Sequence, residues 1–284
     1  MSDGMERRRK HPTRRHVILG GCAVAVAGLG IGANSAWSAN RKPVLVAAAA
    51  NLRPVMPALL AAMGEAGVGP VRISFGASGN LARQIAQGAP FEVFMSADRA
   101  RVSFVAEHRR IEAQAVYARG RLAWVSAAGL GADRETADLA ALVAATGDGR
   151  VAIGNPEHAP YGIAARAALQ SANVWSAIEP RLVFAENVAQ AAQFALTGNA
   201  AAAITSLSLA RTPELRARLA SVTIAEALHP PIEQEIALLA GASDAARAVY
   251  AFIVSPAAAR IFAEAGYAVP SPAKPAKPTK PSKS

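Results

Sequence analysis

Four short stretches of this chain gather small polar residues where an apolar run ends. They are Ala47–Pro54, containing Asn51; Ser74–Ile85, containing Phe75-Gly76-Ala77-Ser78-Gly79-Asn80; Gly154–Gly162, containing Asn155-Pro156-Glu157-His158-Ala159-Pro160-Tyr161; and Ala185–Val188, containing Glu186-Asn187. Ser and Asn side chains here, with the peptide N–H groups around them, are neutral donors on short arms. Where such a stretch leads into a helix, its first N–H groups have no partner inside the helix, and the positive end of the dipole attracts anions. Taken singly, each stretch also serves as an ordinary helix cap, and Asn51 is placed to cap a helix that Pro54 helps start. Taken together they suit a fully deprotonated tetrahedral oxyanion. Such an ion offers only acceptors, and a carboxylate in its shell would repel it.

Other chemistries find less support. Gly76-Ala77-Ser78-Gly79-Asn80 has a glycine before its serine but lacks the second glycine of a nucleophile elbow, so a serine hydrolase acting through Ser78 is a weaker alternative. Beyond the N-terminal segment the histidines are His108, His158 and His229, with no His-x-x-x-His pair for a metal and no carboxylate spaced to orient His158 as a base. A phosphate loop would end in Gly-Lys-Ser/Thr, which is absent. A binding protein for another anion, such as sulfate, phosphonate or an organic acid, is a second alternative. An organic acid calls for a fixed arginine, and Arg53, Arg83, Arg99 and Arg166 lie near the stretches, where a place on a helix surface accounts for each.

The elements that must position these residues alternate. Apolar β-like runs recur at 44–50, 71–75, 92–96, 122–126, 151–153, 182–184, 201–205, 222–224 and 236–240. Helix-period segments separate many of them, at 54–63, 80–87, 136–145 and 186–196. Such alternation implies an α/β fold of parallel sheets covered by helices, with ligands beyond the carboxyl ends of strands.

The ends read differently. Of 284 residues 52% are apolar and 18% charged, enough to bury a sizeable core. The net charge of +10 is concentrated at the termini: residues 1–39 hold six Lys/Arg against two Asp/Glu, and 271–284 hold four Lys and no acid. The body between them carries 20 basic and 18 acidic residues, which gives no basic face for nucleic acid. Arg14-Arg15 ahead of the apolar, Gly/Ala-rich run from Val17 to Ala33, with small residues at Ala36 and Ser38, is the pattern of a twin-arginine-type signal peptide over 1–39. Cys22 follows Leu19-Gly20-Gly21, but the apolar run continues beyond it, against a lipid attachment site; cleavage near 38–39 would leave a mature chain without cysteine and exclude disulfides and thiolate chemistry. Lys-Pro recurring every third residue marks 271–284 as an extended, disordered tail.

The order of the pieces resembles the molybdate-binding proteins of ABC importers across 43–269. The pieces are Ala49-Ala50-Asn51-Leu52, Ser74 through Ile85, Gly88-Ala-Pro-Phe-Glu-Val-Phe-Met-Ser-Ala-Asp98, Gly154 through Gly162, and Pro256 through Tyr267. The resemblance implies a two-lobed, type II-like periplasmic binding protein, each lobe a mostly parallel sheet flanked by helices, with the ligand cleft between them. One lobe would span 40–119 plus 233–270 and the other 120–232, the chain crossing near Gly120 and returning near Pro231–Glu235. It implies no catalysis and no cofactor. The ligand would be molybdate, or also tungstate, and the partner a membrane permease, with the binding protein a periplasmic monomer. By position the ligands fall on Asn51 and Ser78 in the first lobe and on the backbone N–H groups of Tyr161 and Val188 in the second. Many relatives add a tyrosine hydroxyl, and the corresponding position here is Ser206, on a much shorter arm.

Overall fold

The computed structural model describes residues 42–127, 135–136 and 138–269. The expected signal peptide over 1–39 and the expected tail over 271–284 therefore lie outside the described residues.

The chain opens with β1 (Val44–Ala49), a 3₁₀ turn (Ala50–Leu52), α1 (Met56–Glu65), β2 (Val71–Gly76), α2 (Ser78–Ala86), β3 (Val93–Ser96), α3 (Arg99–His108) and β4 (Ile111–Gly120). After one intervening residue come β5 (Leu122–Ser126), β6 (Glu135–Thr136), α4 (Leu139–Ala144), β7 (Val151–Gly154), α5 (Pro160–Ser171), α6 (Trp175–Ile178), β8 (Leu182–Ala185), α7 (Val188–Leu196), β9 (Ala202–Ser206), α8 (Leu207–Ala210), α9 (Pro213–Arg216) and β10 (Ala220–Ile224). The described part ends with β11 (Ile232–Leu239), α10 (Asp244–Ile253) and α11 (Pro256–Glu264).

Two sheets result, ordered β2-β1-β3-β11-β4 and β6-β10-β5-β9-β7-β8. Strands at the heart of a helix-covered sheet are buried on both faces and read as unbroken apolar runs, as in β1, β3 and β7, while the edge strand β2 alternates half-buried and exposed residues. β1 pairs in parallel with β2 and β3, and β7 with β8 and β9. The expected parallel pairing is thus incomplete, because β11 runs antiparallel to β3 and β4, and β5 antiparallel to β9 and β10. These antiparallel strands carry the chain from one sheet to the other: β4 leads through Gly120 into β5, and β10 returns to β11.

β4 is absent from the apolar runs read in the sequence. Its Ile111-Glu-Ala-Gln-Ala alternates half-buried and exposed residues, the pattern of a strand with one face covered and the other in solvent. Near its end the register with β11 shifts, so that Tyr117 is an extra residue between the pairs Val116↔Glu235 and Ala118↔Gln234. Its buried ring packs on Phe262 of α11, centroids 5.0 Å apart.

Candidate functional site

α2, α5, α7 and the 3₁₀ turn all begin on one small cavity of about 10 Å³, far below the roughly 300–1,000 Å³ of pockets for drug-sized ligands. Asn51, Ser78, Tyr161 and Val188 line it together with Ala49, Ala50, Gly76, Ala77, Ala97, Ala159, Pro160 and Asn187. No side chain in that wall is charged, so positive potential comes from peptide N–H groups and helix dipoles.

Most α-helices away from this place start under a side-chain cap, α1 and α6 being the exceptions. α3, α8, α10 and α11 start in the ordinary way, with the side chains of Asp98, Ser206, Ser243 and Ser255 accepting from first-turn N–H groups. The 3₁₀ turn, α2 and α5 are preceded by Ala49, Ala77 and Ala159, which have no side chain to do this. At α7 the Asn187 side chain accepts from Ala189 and Gln190 N–H, one and two residues beyond Val188. Donors are therefore left facing the cavity: the N–H groups of Ser78 and Tyr161 in their first turns, and that of Val188 at the head of α7.

Ser78 is 1% exposed, and its Oγ accepts from Ala97 N–H at 2.9 Å. With the oxygen engaged as acceptor, the hydroxyl proton is free to turn into the cavity. Tyr161 is the second residue of α5 behind Pro160, and Gly162 presses so closely on β7 that a Cβ there would lie 2.0 Å from the Gly154 carbonyl oxygen. The Thr205 hydroxyl holds the Val188 carbonyl at 3.0 Å.

Asn51 differs from its expected part. It does not cap α1, whose N-cap is Val55. Fully buried, it donates both Nδ2 protons inward, to Gln234 Oε1 and to the Tyr267 hydroxyl, each at 2.9 Å. Its carbonyl accepts from Tyr267 OH at 2.8 Å and from Ser208 Oγ at 3.0 Å. The side chain has spent its N–H donors on this hub, which leaves the backbone N–H of the turn as the group Asn51 can offer a ligand. The Tyr161 hydroxyl lies against the Asn51 and Gln234 amides without hydrogen-bond geometry to either, and fills the space above Gly120, where a Cβ would lie 2.1 Å from it. Burial raises the Tyr161 and Tyr267 phenols above their ordinary range, so both are neutral at physiological pH.

Ser206 stands outside the cavity wall. Its Oγ bonds Ser208 Oγ at 2.9 Å and accepts from Leu209 N–H at 3.3 Å as the cap of α8. Gln234, Tyr267 and Ser208 were not singled out by their residue types. Tyr267 lies in the C-terminal motif quoted above, whereas nothing local marks a glutamine within a strand. Asp98, which follows Ala97 of the wall, and Glu235 have carboxyls raised above their ordinary value, chiefly by burial. A larger groove between Leu45, Val68, Glu92 and Ser243 lies elsewhere and has mostly apolar walls. Among the described residues no cluster of His, Cys, Asp or Glu is arranged to hold a metal ion.

Residues 44–268 match the protein family described as bacterial extracellular solute-binding protein. The molybdate-binding protein ModA of Rhodobacter capsulatus is 37% identical over 232 residues, 79% of this chain and 87% of that protein. ModA of Escherichia coli strain K12 is 30% identical over 200 residues, 69% of this chain and 77% of the relative. Among solved structures, the periplasmic molybdate-binding protein of Azotobacter vinelandii superposes with a TM-score of 0.70 at 26% identity, covering 80% of this chain and all of the other. The chain shares the fold of the solved relative, and residues 44–268 match a family that binds solutes and is not a family of enzymes: the chain belongs to the bacterial extracellular solute-binding proteins.

Proposed function

We propose that this protein captures molybdate outside the cytoplasm and delivers it to the membrane permease of an ABC importer. The observation that carries the reading is the wall of the cavity, which is free of charged side chains and faced by uncapped first-turn N–H groups and the Ser78 hydroxyl. A tetrahedral dianion can accept a hydrogen bond at each oxygen from such a wall. The names of the relatives support molybdate as that dianion. Tungstate, of the same shape and charge, fits the same donors.

The ligand set in this reading is the Asn51 N–H, the Ser78 N–H and hydroxyl, and the N–H groups of Tyr161 and Val188, with Ser206 outside it. The lobes are 40–119 plus 233–270 and 120–232, and the protein acts as a monomer that engages no nucleic acid. Export by the twin-arginine route rests on Arg14-Arg15, and replacing both by lysine leaves uncleaved precursor in the cytoplasm. Normal processing of that variant would refute this route.

Titration calorimetry with molybdate, tungstate, sulfate, phosphate and chromate tests the assignment. Molybdate and tungstate bind at least tenfold more tightly than the other three; equal affinity for sulfate or phosphate would sink it.

A further inference from the structure

The loop Asn155–Ala159 is shaped from within. The Asn155 side chain accepts from Glu157 N–H at 3.0 Å, its carbonyl accepts from Ala159 N–H at 2.9 Å, and its own N–H is held by the Ala185 carbonyl at 2.7 Å. Two successive carbonyls of this loop, at Glu157 and His158, receive donors from the other sheet's helices. Gly79, the second residue of α2, donates its N–H to His158 O at 2.9 Å, and Arg101 on α3 donates Nη2 to Glu157 O at 3.2 Å. Gly79 meets the loop so closely that a Cβ there would lie 2.7 Å from His158 O and 2.9 Å from His158 Cα. Those neighbours are backbone and cannot swing away. The two contacts join the helix that carries Ser78 to the loop that leads into Tyr161, so they close over the oxyanion cavity without lining its wall.

We infer that Gly79 and Arg101 form a latch that grips the 155–159 loop when the cleft closes on its anion, setting affinity and release rate without touching the ligand. This rests on the oxyanion reading of the cavity and deepens it. Ser78 and Gly79 are adjacent with divided roles: one peptide and its hydroxyl serve the anion, and the next peptide serves the opposite lobe. Both are positioning contributions in the case of Gly79 and Arg101. Opening the cleft strips Gly79 N–H and the two carbonyls of these partners and returns them to water. Gly79 has no positive φ that alanine would resist, so an added methyl group is costly only in the closed form.

The test compares the parent, Gly79→Ala, Arg101→Ala and Ser78→Ala. Molybdate binding is read by calorimetry, release by stopped flow, and closure by the distance between labels at Gln87→Cys, exposed just after α2, and Gln193→Cys, exposed on α7. Alanine is the better helix former, so Gly79→Ala should melt no lower than the parent without anion. It should bind molybdate at least tenfold more weakly, release it faster and fail to reach the closed label separation. Arg101→Ala should release severalfold faster with the separation retained. Gly79→Ala with parental affinity, release rate and closed separation, beside a Ser78→Ala that has lost affinity, overturns the latch and leaves the site standing. A parent that reaches the closed separation without binding any of the anions overturns the proposed function alone; one that neither binds nor closes overturns both.

Discussion

The Ser78 oxygen accepts from Ala97 N–H and the Asn51 amide donates to Gln234 and Tyr267, so two residues that line one cavity are expected to fail differently. Ser78→Ala removes a hydroxyl donor to a charged ligand. It should cost about 1.5–3 kcal/mol of binding, roughly 10- to 150-fold in affinity by titration calorimetry, and about 1–3 kcal/mol of stability because the buried Ala97 N–H loses its acceptor. Asn51→Ala leaves a buried glutamine carbonyl and a tyrosine hydroxyl short of partners and should lower stability by about 2–4 kcal/mol in denaturant unfolding. Ser206→Ala removes a helix cap, worth roughly 0.5–2 kcal/mol of stability, and should leave the molybdate affinity within twofold of the parent. Residue types alone could nominate Asn51 and Ser78, because a short polar side chain after an apolar run is visible in the sequence. They could not assign direction: whether Asn51 faces the cavity or the hub depends on Gln234 and Tyr267, which lie 183 and 216 residues further along the chain.

At the level of elements, the donors that distinguish this site belong to the backbone and survive side-chain replacement. Val188 stands first in α7, after Asn187 in an extended conformation that tolerates a following proline. Proline is also favoured at the first helical position, so Val188→Pro deletes one N–H with little damage to the helix. It should lose about 1.5–3 kcal/mol of molybdate binding, whereas Val188→Ala should bind like the parent; equal affinities would remove this peptide from the ligand shell. Strand-to-helix alternation was legible because the central strands are apolar throughout, and β1, β3 and β7 lie within one residue of their expected bounds. β4 escaped because a strand alternating Glu, Gln and Ala presents no apolar run. The bulge at Tyr117 and the antiparallel return of β11 depend on pairing across more than a hundred residues, which no local pattern encodes.

For the molecule as a whole, binding and folding are linked. Molybdate at a thousandfold above Kd should stabilise the protein by about 4 kcal/mol, which for a body of this size raises the melting temperature by roughly 8–16 °C. Sulfate at the same concentration should shift it far less. Without ligand, acidity acts through Glu235, which is 3% exposed and whose carboxyl burial raises above the ordinary carboxylate range, Arg99 opposing in part. A raised folded pKa means that the native state holds this proton more tightly than the unfolded chain, so this group favours folding more as pH falls into that window and opposes it above. Glu235→Gln should therefore raise the melting temperature at pH 7 and flatten this part of the dependence; a lower value at pH 7 would show that the ion pair with Arg99 outweighs the burial.

The wall of neutral groups has a consequence for the heat of binding. None of the side chains that line the cavity titrates near neutrality, so a dianion that enters fully deprotonated should draw no proton from the solvent and release none. Calorimetric enthalpies measured at pH 7.5 in buffers of widely different ionisation heat should then coincide. A slope against that heat would count the protons exchanged and point to a titrating group coupled to the ion from behind the wall, with Asp98 the first to replace by asparagine.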